Sequence, residues 1–230
     1  MNAPLRLLFP ALLFALSGCS LLGKPKNPPT VYAPRPAWTA QAAAPSSSVP
    51  FQLLVDAPQA SATLDSNRIA VMPTPGVLQV YKAALWSDRV PLLLRSLLTE
   101  AFEKSGRIAG VGSYATGLRA DYSLVTQILD FQSEYRDGTP VAVLRISAKL
   151  VDALSGRVVA ARVFPAEQAS ASTATADVVH AFESALSTLL PQVVDWTLNE
   201  GMRARSSNAA LETRLPPEPP PVTPAPDQQR

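Results

Sequence analysis

The chain has 230 residues, 47% hydrophobic and 17% charged, which is material for one globular domain or two small ones. Its formal net charge is +2, and the 20 Lys and Arg form no basic run, so there is no electrostatic case for nucleic acid or a polyanionic substrate. The single cysteine excludes an internal disulfide, and the 23 prolines crowd into two polar stretches on either side of the middle.

Residues 1–18 read as a leader. Arg6 and the N-terminal amine make a positive start, and Leu7 to Leu16 is an apolar run too short for a membrane-spanning helix, which needs ~20 residues. Then comes Leu16-Ser17-Gly18-Cys19, which resembles the lipobox of bacterial lipoproteins. The small residues let the backbone enter the peptidase site, and the thiol of Cys19 is the acyl acceptor. Cleavage there removes Arg6 and leaves 19 basic side chains against 18 acidic. Two or more acyl chains anchor a protein stably where one does not. Ser20 follows Cys19, not the Asp that retains diderm lipoproteins at the inner membrane, so the pattern resembles one sorted to the outer membrane, facing the periplasm.

Residues 19–50 carry the lipidation site and a tether. From Lys24 to Pro50 this stretch is rich in Pro, Ala and Ser without apolar period, and should stand the body off the lipid as a semi-extended stalk. Tyr32 and Trp38 within it are read as lying against the domain or the lipid headgroups.

Residues 51–201 form the folded domain. Strands are expected at Phe51–Asp56, Arg68–Met72 and Val77–Tyr81, with a turn at Pro75-Gly76. A first helix is expected from Ser87 as N-cap, with Asp88 in its first turn and Pro91 early. Its stripe is Val90, Leu94, Leu97, Leu98, Ala101 and Phe102, and Gly106 closes it. Ala120–Gln132 reads as a long strand whose apolar parity changes between Ile128 and Phe131, the mark of a bulge or twist. Asp137-Gly138 turns it into Val141–Asp152, which alternates apolar and polar, and Ser155-Gly156 turns that into Arg157–Gln168. A second helix is expected from Thr175 to Asn199, kinked or divided at Pro191 and ended by Gly201. Its stripe is Val179, Phe182, Leu186, Leu189, Val193 and Trp196. The fold class is therefore α+β, a two-layer domain with two amphipathic helices on one face of a mostly antiparallel sheet. Residues 202–230 are polar and Pro-rich, expected to be disordered or polyproline II.

No catalytic constellation emerges. His180 is the sole histidine and falls on the exposed side of the second helix, which argues against a zinc site or a Ser-His-acid triad. GxSxG, P-loop and GxGxxG are absent, and Asp65, Asp88, Asp130 and Asp152 are dispersed. The residues point to a non-enzyme with no cofactor.

Leu64-Asp65-Ser66-Asn67-Arg68-Ile69-Ala70, followed by Tyr81-Lys82-Ala83-Ala84-Leu85-Trp86-Ser87-Asp88-Arg89-Val90-Pro91, resembles the ABC-type transport auxiliary lipoprotein family, the PqiC-like group. Asp121-Tyr122, Asp130-Phe131, Leu150-Val151-Asp152 and Asp195-Trp196 follow the family's order, while Val80 departs from it where an aromatic is common. The resemblance implies an outer-membrane lipoprotein that docks an Mce (MlaD-like) periplasmic protein and its ABC permease and ATPase, in a system moving phospholipid or other hydrophobic molecules. A ring of Mce subunits favours a symmetric homo-oligomer. Arg68, Tyr81, Trp86 and Arg89 are then the candidate partner contacts; the competing reading is structural, with Arg68 pairing Asp88 and Trp86 packing on the sheet. The alternative from another class is an outer-membrane or cell-wall assembly lipoprotein, such as an activator of a peptidoglycan synthase. A hydrolase is a third reading, disfavoured by the lone exposed histidine.

Overall fold

The computed structural model describes residues 28–37, 48–113, 117 and 119–212. The leader, Cys19, Trp38 and the proline-rich tail lie outside them. Eight strands and two helices follow in the order β1 (Thr30–Tyr32), β2 (Val49–Val55), β3 (Arg68–Thr74), β4 (Val77–Trp86), α1 (Val90–Ser105), β5 (Ile108–Gly112), β6 (Tyr122–Arg136), β7 (Thr139–Asp152), β8 (Val158–Ala169) and α2 (Thr175–Glu212).

Strand β6 is the spine of one sheet. Along one edge it pairs antiparallel with β7 over its whole length. The turn between them is Asp137-Gly138, with φ of 51° and 79°, the two positive values that a type I′ hairpin demands. The other edge of β6 is shared. Strand β2 runs parallel to its first part (Leu53 opposite Tyr122) and β3 parallel to its last part (Ala70 opposite Gln132). Gln59 bridges the gap, its N–H donating to Thr126 O at 2.9 Å and its carbonyl accepting from Ile128 N at 2.7 Å. The sheet continues from β2 to β5, from β3 through β4 to β1, and from β7 to β8. It is thus mixed: four pairings are parallel, while the three longest ladders are antiparallel. The α+β class stands.

The alternation in β7 maps directly onto burial. Ala142, Leu144, Ile146, Ala148 and Leu150 are all in the core, and Arg145 and Lys149 face solvent. In β6 the register slips between Ile128 opposite Ile146 and Asp130 opposite Arg145, leaving Leu129 as the extra residue of a bulge. The bulge lets Tyr122, Leu124, Ile128 and Phe131 all reach the core despite their change of parity. On the wet face, Arg145 bonds Asp130 at 2.5 Å and Arg136 bonds Glu167 at 2.6 and 3.0 Å. That doubly bonded guanidinium holds the Glu167 carboxyl below its usual range.

Both helices bury their apolar stripes in one continuous core. Trp86, Phe131 and Phe182 form its centre, with ring centroids 5.2 to 6.0 Å apart. Phe164 and Trp196 meet edge to face at 5.5 Å. Each such side chain contributes ~1.5–3 kcal/mol by leaving water.

Three boundaries differ from the reading of the sequence. Helix α1 starts at Val90, not Ser87, with Arg89 as its N-cap and no side-chain cap. The preceding backbone is committed elsewhere: Trp86 N–H donates to Asn67 O, Ser87 N–H to Tyr32 O and Val90 N–H to Ser66 O. Asp88 therefore lies outside the first turn. Helix α2 passes through both Pro191 and Gly201 and ends at Glu212. Finally, the proline-rich stretch before the domain supplies a strand. β1 pairs parallel with β4, Val31 opposite Leu85, and β2 begins at Val49.

Candidate contact surface

The motif segment from Leu64 to Pro91 folds into a corner between β3, β4 and the start of α1. Its aromatic residues turn inward. Trp86 is 1% exposed and stacks edge to face on Phe131 and Phe182, so its part is packing and it offers no surface to a partner. Its Nε1–H is buried without an acceptor among the described residues. Tyr81 is half-buried and packs against the core. Its hydroxyl donates to Ser133 Oγ at 3.2 Å, and burial pushes its pKa up to about 12, so it stays a neutral donor.

The charged residues turn outward. The ion pair here is Arg89 with Asp65, not Arg68 with Asp88. Asp88 instead accepts from the backbone N–H of Arg89 at 2.7 Å, and Arg68 is exposed. The reason is positional. Arg89 is the N-cap of α1 and stands over the turn holding Asp65, whereas Arg68 opens β3 and follows the strand away. Asp65 and Arg89 line a cleft of about 450 Å³ with Ala57, Pro58, Gln59, Ala60, Pro91 and Leu92. The Arg89 side chain is 56% exposed and keeps guanidinium N–H groups beyond the one given to Asp65. Beside the cleft, burial raises the Asp56 carboxyl above its ordinary value. The 57–60 stretch carries no periodic pattern, so nothing in its residues signals that it walls a cleft. Its Gln59 bridge to β6 is what places it.

A second cleft of about 580 Å³ lies where β6 begins and α2 nears its end. Its rim holds Arg119, Asp152, Leu154 and Arg205, with Asp121 bonded to Arg205 at 3.2 Å and to Gln52 N–H at 2.8 Å. The Ser155 N–H and hydroxyl, both 2.7 Å from Asp152 Oδ1, hold that carboxyl below its usual range. Leu154 at the β7–β8 turn is 99% exposed.

His180 is on the outer face of α2, 75% exposed, with Nδ1 at 2.9 Å from Glu183 Oε2. Among the described residues no three His, Cys, Asp or Glu side chains converge as metal ligands, and no helix is long and apolar enough to cross a membrane. What the geometry offers is a half-exposed ion pair set in a largely uncharged cleft, which suits recognition of another protein more than bond-making.

The family model of the ABC-type transport auxiliary lipoprotein component matches residues 33–194, from just after β1 into α2. Protein XCC0632 from Xanthomonas campestris, assigned to DUF330, is 40% identical, with a TM-score of 0.72 over 77% of this chain and 99% of its own. An uncharacterized protein, 18% identical, shares the fold at TM-score 0.53 over 63% of this chain and 90% of its own. The PelC dodecamer from Paraburkholderia phytofirmans, 16% identical, covers 64% of this chain and 85% of its own at TM-score 0.36, too distant to carry an argument. No curated protein matches. The chain belongs to the ABC-type transport auxiliary lipoprotein family.

Proposed function

We propose that this protein is the lipid-anchored docking component of an Mce-type ABC transporter, working by binding and not by catalysis. Acyl chains on Cys19 hold it at the outer membrane with its folded body in the periplasm. There it receives the Mce (MlaD-like) protein of a system that moves phospholipid or other hydrophobic molecules between the membranes. The observation that carries this reading is the family match, which spans most of the folded body. The lipobox supports the anchor, and the Asp65–Arg89 cleft with exposed Arg68 supplies the kind of surface a protein partner uses. Arg89 is the strongest contact candidate, because it is the motif arginine that is both fixed in place and open to solvent.

The test is affinity capture of the Cys19-processed protein from membranes of its own host. Mce and ABC subunits should be recovered, and Arg89→Glu should reduce their recovery by at least about tenfold while leaving the thermal midpoint within a few degrees. Cys19→Ala should release the protein from the outer-membrane fraction. Capture that recovers cell-wall synthases and no Mce or ABC subunit would overturn the proposal.

A further inference from the structure

The stretch between the lipidation site and the domain is not all spacer. Residues 30–37 lie on the body as a strap. Thr30–Tyr32 form β1 on the edge of β4, and the carbonyl of Tyr32 accepts from Ser87 N–H at 2.8 Å. The chain then crosses onto α2. Pro34 and Pro36 are buried, while the residues between and after them turn their backbone N–H groups to the helix. Arg35 N–H donates to Glu183 Oε1 at 2.8 Å, and Ala37 N–H donates to Ser187 Oγ at 2.8 Å. Glu183 and Ser187 are one helical turn apart, so they meet alternate residues of an extended segment. The Ser187 hydroxyl in turn donates to the Glu183 carbonyl at 2.7 Å, which orients it for Ala37. Alternate prolines inward and alternate amides onto side-chain acceptors is a recognition pattern, not incidental contact.

We infer that this seam on α2 and β4 is an intramolecular docking site for the lipid-proximal segment, and that seating the strap sets how far the body stands from the membrane. The inference rests on the Cys19 anchor proposed above. With the strap seated, ten residues lie between Cys19 and Thr30, a reach of at most about 40 Å; with it released, twenty-nine residues lie between Cys19 and Val49, a reach of at most about 110 Å. The bonds that hold the strap are few and lie at the surface, so it belongs to the parts of a protein that open without global unfolding. A partner that competes for Glu183 and Ser187, or a pull on the body, would convert the short tether to the long one.

The experiment uses the chain from Cys19 onward, its one cysteine coupled to a maleimide-headgroup lipid in a supported bilayer, so that the outcome does not depend on acylation in cells. Neutron reflectometry then measures the water gap between bilayer and protein. Replacing residues 30–37 by Gly and Ser at equal length should widen the mean gap by at least about 1.6-fold, the square-root scaling that is the lower bound for a tether stiffened by proline. Glu183→Ala with Ser187→Ala should widen it by less. In the unaltered protein, hydrogen exchange should show the Arg35 and Ala37 amides protected at least about tenfold over an unfolded chain. An unchanged gap in the strap-replaced protein, or strap amides exchanging at unfolded-chain rates in the unaltered one, would overturn the inference. Whether the native protein carries acyl chains on Cys19 is read separately by mass spectrometry, so failure of the anchor and failure of the strap are distinct results.

Discussion

Helix α1 carries Pro91 in its first turn and stops at Gly106, whereas helix α2 carries Pro191 and Gly201 in its interior and runs through both. The same two residue types punctuate one helix and are overridden in the other. At Gly106 the backbone turns left-handed with φ 62°, its N–H caps Glu103 O, and nothing lies within 4 Å of where a Cβ would be. At Gly201 a Cβ would lie 2.5 Å from Phe51 Cζ, and the Tyr122 hydroxyl donates to the Gly201 carbonyl at 3.3 Å. The first glycine serves a backbone conformation; the second makes room for a ring. A breaker ends a helix when the next turn has nothing to bury. α2 continues because Val193, Val194, Trp196 and Leu198 beyond its proline are all core residues.

If packing rules α2, then removing its central ring should cost most. Phe182→Ala should destabilise by about 3–5 kcal/mol in urea unfolding. Phe102 of α1 is equally buried but has no ring partner among the described residues. Phe102→Ala should therefore fall short of Phe182→Ala by about 0.5–1.5 kcal/mol, the added worth of aromatic pairs. Equal losses would show that the aromatic cluster adds nothing beyond area.

Gly201→Ala separates propensity from packing by sign. In an ordinary helix interior the change gains up to about 1 kcal/mol. Here the methyl must displace the Phe51 ring, and overpacking of that kind costs about 1–3 kcal/mol. A net loss is expected, with Phe51→Leu in the same chain recovering part of it. A gain in thermal midpoint would mean that the ring moves freely and that Gly201 has no packing role. Pro191→Ala runs the other way. An interior proline costs ~3 kcal/mol in helix stability and returns up to ~1 by restricting the unfolded chain, so the alanine variant should be more stable by about 2 kcal/mol. Nothing in the structure requires a proline there.

These cases mark what could be read in advance. The β6–β7–β8 meander was legible because its signals are local: the Asp137-Gly138 turn, the alternation from Ala142 to Leu150, the parity change at Leu129. The helical stripes were legible for the same reason. The parallel pairings of β2 and β3 with β6 were not, since they join segments tens of residues apart and leave no periodicity of their own. Strand β1 was hidden in a proline-rich stretch because three residues, Thr30 to Tyr32, carry too little pattern to stand out. In the motif segment the residue types were legible and their directions were not. Trp86 went inward by following β4 beyond Tyr81, and Arg89 stands at the N-cap, beside Asp65, because α1 begins two residues later than an N-cap at Ser87 would have it.

Gly106→Ala brings the comparison back to α1. The new side chain meets no atom, so the whole effect is the left-handed backbone, about 1 kcal/mol of lost stability. It should be recovered by Gly106→Asn in part, since Asn tolerates that conformation better. The contrast with Gly201→Ala lies in the remedy: a residue suited to positive φ helps at one site, and a smaller neighbouring ring helps at the other.

The smallest effect concerns how the two helices begin. α2 has Asp177 in its first turn, bonded to the Ser172 hydroxyl, while α1 has no acid there because Asp88 falls just before the N-cap. A carboxylate in the first turn faces the positive end of the helix dipole and contributes about 0.3–1 kcal/mol, an interaction that salt screens. Asp177→Asn should therefore lower stability by that amount at low ionic strength and by markedly less at 1 M salt. Asp88→Asn keeps the oxygen that accepts from Arg89 N–H and lies outside the first turn, so it should change stability little at either salt concentration. Equal, salt-dependent losses from both variants would mean that Asp88 also acts on the α1 dipole. The helix would then start, in electrostatic terms, where the sequence alone placed it.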